Sequence, residues 1–258
     1  MFVIGKESME KGMNILGAHI DSPRMDLKQD PLYEDSDFAM LDTHYYGGIK
    51  KYQWVTLPLA LHGVIAKKDG SVVKVSIGDK PGDPVFGVSD LLIHLSGDQM
   101  SKKASEVIEG ENLDLLIGSI PEASEDEKAK EKVKANIMKM LSAEYGIEEE
   151  DFLSAEIEVV PAGEARDYGL DRSMIMGYGH DDRVCAYPSF EAMLVEDAPE
   201  VTSVCLLVDK EEIGSVGASG MESRFFENTV AEVMNATGEY SELKLRRALK
   251  NSSMLSSD

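Results

Sequence analysis

Only two cysteines, Cys185 and Cys205, and a single tryptophan, Trp54, occur among the 258 residues. The cysteines show neither CxxC spacing nor a pairing pattern, which excludes a disulfide scaffold and suits a reducing compartment. Aromatic residues amount to 7%, too few for a Trp-rich interface or a platform on which bases stack. No stretch approaches the roughly 18 apolar residues of a membrane span. The opening MFVIGKESMEKGMNILG lacks the basic-then-apolar order of a signal peptide. Positive charge is also scarce: 26 Lys and Arg against 48 Asp and Glu leave a net −22, a surface that repels phosphate backbones and attracts cations. The expectation is a soluble, cytoplasmic protein with no nucleic-acid or membrane partner.

What is present is enough to build a core. Hydrophobic residues make up 43%, and the length suits one large domain or two modest ones. MNILGAHI reads as a buried strand that Pro23 ends, and residues 29–48, rich in Asp, Pro and Gly, read as irregular surface. Val55–Ile65 and the alternating VVKVSI of Val72–Ile77 read as strands joined through a KKDG turn. VSDLLIHLSGDQM looks like a helix entry with Ser89 as N-cap. Residues 122–150 carry the clearest helical pattern, with Val133, Ile137 and Met140–Leu141 as its apolar stripe and Gly146 as its stop. FLSAEIEVVPAG and VTSVCLLVDKEEIG read as further strands, and SRFFENTVAEVMNAT as a helix with Phe226, Val230 and Val233–Met234 on one side. Strands and helices alternate near both ends while the middle is denser in strands. An α/β layer with a β-rich insertion at about residues 48–161 fits that order.

Three apolar runs end in clustered carboxylates or histidine: GAHIDSP, GYGHDDRVCAY and LLVDKEEIGSVGASG. Each has a plainer account by itself. Glu211–Glu212 could be a solvated helix start, His19 and Asp21 an edge-strand pair, and His180–Arg183 an N-cap followed by a local ion pair. Three such clusters, each beside glycine, are harder to assign to chance. Ligands of open α/β sheets collect outside the carboxyl ends of strands, so the three could converge on one crevice. Adjacent acids raise each other's pKa unless a cation offsets them, and imidazole with carboxylates is a zinc-like ligand set. Two metals bridged by one carboxylate would use about five protein ligands. One of Glu211 and Glu212 could then bind metal while the other takes a proton from the activated water.

GAHIDSPRMDLK, YYGGIKKYQW, DLLIHLS, GHDDRVCAYPSF, DKEEIGSVGASG and SSMLSSD, in that order, resemble the M18 family of metallo-aminopeptidases, the aspartyl aminopeptidase group. The resemblance implies a mixed β-sheet sandwiched by helices, with an inserted β-rich dimerisation domain. The catalytic domain would be residues 1–47 and 162–258, and the insertion 48–161. It also implies two zinc ions per active site, with Co2+ or Mn2+ as alternatives, a peptide substrate with an acidic N-terminal residue, and dimers that build a larger homo-oligomer. By this resemblance His19, Asp181, Glu212 and Asp258 would bind metal, with Asp181 bridging. Asp21 would orient His19, and Glu211 would be the general base. His94 would be the histidine that the insertion contributes to a neighbouring subunit's site.

Family members extend past both ends of this chain, and the region after the SSD motif supplies a further histidine ligand. His44, His62 and His180 sit in no matching motif. The expectation is therefore a truncated chain with one metal site incomplete and weak or absent peptidase activity. The competing expectation is a remnant that acts only in oligomer assembly. A third is hydrolysis of another amide, such as an acylated amino acid, by the same strand-end chemistry.

Overall fold

Short runs of apolar residues become buried parallel strands when both faces are covered, and NILGAH and SVCLLV follow that rule. The structure is a computed structural model and describes residues 1–123 and 130–258. Met1–Ser22 carries strands β1 (Phe2–Val3) and β2 (Asn14–His19). Pro23–Tyr178 carries β3 (Arg24–Asp35), β4 (Phe38–Tyr46), β5 (Leu59–Ala66), β6 (Val72–Ile77), the single helical turn α1 (Gly97–Met100), β7 (Leu115–Gly118), α2 (Lys132–Tyr145), β8 (Ala155–Pro161), β9 (Arg166–Tyr168) and β10 (Met174–Met176). Gly179–Asp258 carries α3 (His180–Leu194), β11 (Ser203–Val208), α4 (Phe225–Ala236), α5 (Glu242–Asn251) and β12 (Ser253–Ser256). The first and last of these segments form one compact unit, and Pro23–Tyr178 forms the other.

In the first unit the sheet order is β1-β11-β2-β12. Both neighbours of β2 run parallel to it, with His19 opposite Val208 of β11 and Gly17 opposite Ser256 of β12. The edge strand β1 is antiparallel to β11. Parallel pairing brings the carboxyl ends of β2, β11 and β12 to the same rim, and that rim carries the chemistry. Ile15 and Val204 pack with Met9, Met13, Val230 and Met234 of α4 and Leu245 and Ala248 of α5. The expected helix over SRFFENTVAEVMNAT is α4, and Val230 and Met234 are its fully buried positions. Helix α5, which the sequence patterning did not single out, is capped by the Ser241 hydroxyl accepting from the Lys244 N–H at 3.2 Å. The expected mixed sheet flanked by helices is present.

The second unit is built on a six-stranded antiparallel sheet, β6-β5-β8-β3-β4-β7, with β9 and β10 as a separate ribbon. The hairpin through KKDG forms as expected, closed by the Lys67 N–H to Ser71 carbonyl bond of 2.8 Å. Helix α2 lays Val133, Ile137 and Leu141 on the core, while Met140 is 60% exposed and leaves the expected stripe. Gly146 ends the helix at φ 64°, a left-handed conformation that costs glycine little. The expected longer helix over 122–150 includes residues 124–129, which lie outside the described residues.

Two expectations fail in this unit. Residues 29–48 are not irregular, because β3 and β4 form a long hairpin there. Its two-residue turn places Ser36 at φ 51° and Asp37 at φ 62°, the primed-turn geometry that matches strand twist. Pro31 is accommodated where the β3–β4 register shifts between Leu27 and Leu32. The helix expected after Ser89 does not form. Leu91, Leu92, Ile93 and Leu95 are all more than half exposed, so no packed face repays helix nucleation, and only α1 follows Ser96. The compact unit runs from Pro23 to Tyr178, a wider span than the insertion expected at 48–161. The reason is pairing: β3 is hydrogen-bonded to β8, and β4 to β7.

Candidate metal centre

Five of the residues singled out from sequence converge at the shared rim of β2 and β11, and a sixth stands beside them. His19, the last residue of β2, is only 3% exposed. Its Nδ1 lies 2.9 Å from the Asp21 carbonyl oxygen. A carbonyl can only accept, so Nδ1 carries the proton and Nε2 keeps its lone pair. Nε2 faces oxygens, not donors: it lies 3.1 Å from Asp181 Oδ1 and 3.8 Å from Asp258 Oδ1. An imidazole lone pair aimed at carboxylates requires either a second proton or a cation between them.

Asp21 is buried two residues beyond His19, and its carboxylate accepts the Glu211 N–H on Oδ1 and the Glu212 N–H on Oδ2, each at 3.2 Å. Glu211–Ile213 is a single helical turn at the end of β11. The first N–H groups of such a turn have no partner within it, and Asp21 supplies both acceptors from a distant part of the chain. That clamp fixes where the Glu211 and Glu212 side chains begin.

Asp181 is the second residue of α3, but φ −85° and ψ 111° depart from helical values, and the peptide to Asp182 is cis. Its carbonyl is held by the Ser22 hydroxyl at 2.7 Å, while its carboxylate remains largely open to solvent. Asp182 is 1% exposed, and its Oδ2 has no hydrogen-bond partner among the described residues. The Cys185 thiol is pushed up from its ordinary value by its hydrogen bond with Asp182 and by burial.

The electrostatics show an excess of negative charge. Burial pushes the Glu212 carboxyl up, and the charge of Asp181 adds to it, with His19 opposing. For His19, burial acts to lower the pKa. The hydrogen bond to the Asp21 carbonyl and the charges of Asp21, Glu211 and Asp181 outweigh it, so the net shift is upward. One ligand atom from each of His19, Asp181 and Glu212 lies within 4.8 Å of the others. Donor atoms around a tetrahedral zinc with bonds of about 2.0–2.1 Å stand roughly 3.3 Å apart, close to the 3.1 Å between His19 Nε2 and Asp181 Oδ1. The donor chemistry and the surplus acid both fit a divalent cation.

His94 belongs to the other unit, on an exposed turn before α1. Ser22, Asp182 and Arg183 were not among the residues singled out for a role. Their signal was adjacency: each is the next residue in GAHIDSP or HDDR.

A carboxylate- and histidine-lined rim at the strand ends of a mixed sheet with flanking helices is a candidate seat for a divalent cation. All of residues 1–258 match the model of aminopeptidase I zinc metalloproteases (M18). A probable M18 family aminopeptidase 1 of Clostridium acetobutylicum is 67% identical over 258 residues, covering 100% of this chain and 55% of that protein. The crystal structure of aminopeptidase I from Clostridium acetobutylicum superposes with a TM-score of 0.88 at 66% identity, over 99% of this chain and 55% of that one. The mApe1 dodecamer of S. cerevisiae, 19% identical with a TM-score of 0.68 over 98% of this chain and 56% of its own, shares the fold. The chain belongs to the M18 zinc metalloprotease family. It spans about half the length of the relatives it matches. Among the described residues no helix is long and apolar enough to cross a membrane.

Proposed function

We propose that the chain carries the catalytic rim of a metal-dependent aminopeptidase, which removes N-terminal residues from peptides. The observation that carries this reading is His19 Nε2 aimed at Asp181 and Asp258, with Glu212 closing the set. His19, Asp181 and Glu212 would hold zinc, with Asp181 bridging to a second ion that Asp258 helps to hold. Co2+ or Mn2+ are alternative occupants. When bound, the metal supplies a polarised water and a positive charge for the developing oxyanion. Glu211 begins next to Glu212 on the turn clamped by Asp21, so its carboxylate takes the proton of the attacking water and passes it to the leaving amine. Asp21 holds the His19 ring and the Glu211–Glu212 turn in place for this transfer.

The substrate is a peptide with a free amino end, and an acidic first residue is the class to test first. The inserted segment of residues 48–161 serves self-association into a homo-oligomer built from dimers, with His94 contributed to a neighbouring copy. This assembly is supported by the fold shared with the mApe1 dodecamer. A cytoplasmic setting agrees with the two free cysteines. The competing reading is a chain that acts only in oligomer assembly.

Elemental analysis and aminoacyl-substrate hydrolysis on the purified chain, alone and with Glu211→Gln, separate the two. The catalytic reading expects bound zinc in both proteins, and hydrolysis that Glu211→Gln lowers by about 100- to 10,000-fold, the range for a positioned base. Zinc without hydrolysis leaves the assembly reading. Absence of zinc refutes the metal centre.

A further inference from the structure

We propose that Ser22, steadied by Arg183, is a positioning residue that sets the direction of the Asp181 carboxylate; the inference rests on the metal-centre reading above. Asp181 must leave helical geometry at ψ 111°, so its carbonyl no longer points along α3 and needs another donor. The Ser22 hydroxyl is that donor at 2.7 Å, from a residue only 5% exposed. A hydroxyl can swing to other acceptors, and Arg183 limits that freedom: its Nη1 donates to Ser22 Oγ at 3.1 Å and to the Gly179 carbonyl at 3.4 Å.

Gly179 gives an independent sign that the guanidinium has a built seat. A Cβ placed there would stand 2.9 Å from Arg183 Nη1, 3.2 Å from Cζ and 3.4 Å from Ser22 Oγ, and its φ is +84°. Glycine leaves both the space and the left-handed backbone that this seat requires. The chain of contacts runs from Gly179 to Arg183, to Ser22, to the main chain of Asp181. Asp21 and Ser22, adjacent at the end of β2, therefore grip the two other ligand segments: Asp21 the Glu211–Glu212 turn, and Ser22 the start of α3. A carboxylate whose backbone is held in this way presents its oxygen to a cation without first losing conformational freedom, and such outer contacts tune metal affinity.

The test titrates Zn2+ alone into the full chain by competition with a chromophoric chelator, for Ser22→Ala, Arg183→Met and the double variant. Far-UV circular dichroism reports folding, and the d–d absorption of Co2+-loaded protein reports ligand geometry. Ser22→Ala is expected to weaken zinc binding about 10- to 100-fold and to shift the Co2+ bands. Arg183→Met acts through the same hydroxyl, so the double variant should bind no more weakly than Ser22→Ala alone. Zinc affinity within about twofold of the parent in folded Ser22→Ala, or losses that multiply in the double variant, would overturn the proposal. If Ser22→Ala fails to fold, Arg183→Met decides, because that side chain is exposed: weaker zinc binding supports the inference and unchanged binding refutes it. A parent chain that binds no zinc refutes the metal centre itself, and the inference falls with it.

Discussion

Asp21→Asn is the sharpest perturbation of this centre, because it changes charge and one acceptor with almost no change in shape. In the native chain two backbone N–H groups, of Glu211 and Glu212, each donate to a different oxygen of one buried carboxylate at 3.2 Å. An asparagine keeps one oxygen and turns the other position into a donor, which then faces an N–H. Losing one hydrogen bond to a charged acceptor costs about 2 kcal/mol. The surviving bond, now to a neutral acceptor, loses roughly half its strength, about 1 kcal/mol. Relief of repulsion among the acids offsets part of this, but only part, since the Asp181 side chain is 69% exposed and screened by solvent. A net loss of about 2–3 kcal/mol corresponds to roughly 30- to 150-fold in the opening equilibrium of the turn. The assay is native-state amide exchange at Glu211 and Glu212 in the metal-free chain, with the Val204 amide of β11 as internal reference. Exchange at the two turn amides should accelerate by that factor while Val204 is unchanged. If protection at Glu211 and Glu212 is the same in Asp21→Asn as in the parent, the clamp does not exist in solution.

Two further outcomes test the units separately. Met234→Ala empties a fully buried position in the core that α4 and α5 share with β2. The loss should be about 2–5 kcal/mol, read as a lower urea midpoint of the unit that includes Met234, and a midpoint that does not move would mean this core is loose. In the other unit, burial pushes the Asp114 carboxyl up, although the Tyr33 hydroxyl donates to it at 2.5 Å and the Thr43 N–H at 3.4 Å. An acid whose folded pKa is raised binds its proton more tightly folded than unfolded. Its contribution to stability is therefore greatest below the ordinary aspartate value of about 4 and is lost as pH rises through the raised value. Asp114→Asn should flatten that slope in a urea-midpoint series across the acid range, and an unchanged slope would refute the assignment.

Much of the rim was legible before any coordinates, because its signals are local. An apolar run that stops at His19, and another that stops before Glu211, each announce a strand end with chemistry on it, and parallel pairing then brings those ends together. The hairpin β3–β4 was not legible for the opposite reason. Its Asp and Pro content reads as loop, and only the bulge between Leu27 and Leu32 makes that composition compatible with a sheet. The stretch Leu91–Leu95 misled in the reverse sense: its composition favours a helix, but an apolar helix forms where it has a surface to pack against, and among the described residues Leu91, Leu92, Ile93 and Leu95 stay more than half exposed.

Composition and pattern alone therefore determined the sign of the surface charge, the kind of residues at each strand end and half of the strands of the two larger sheets, since each depends on neighbours a few positions apart. The grip of Asp21 on the Glu211–Glu212 turn and of Ser22 on Asp181 was decided only by the tertiary structure. Those contacts join residues more than 150 positions apart, and no local periodicity encodes which buried acceptor will meet which orphaned N–H. That pairing follows from the register of β2 against β11, which packing of the whole unit sets.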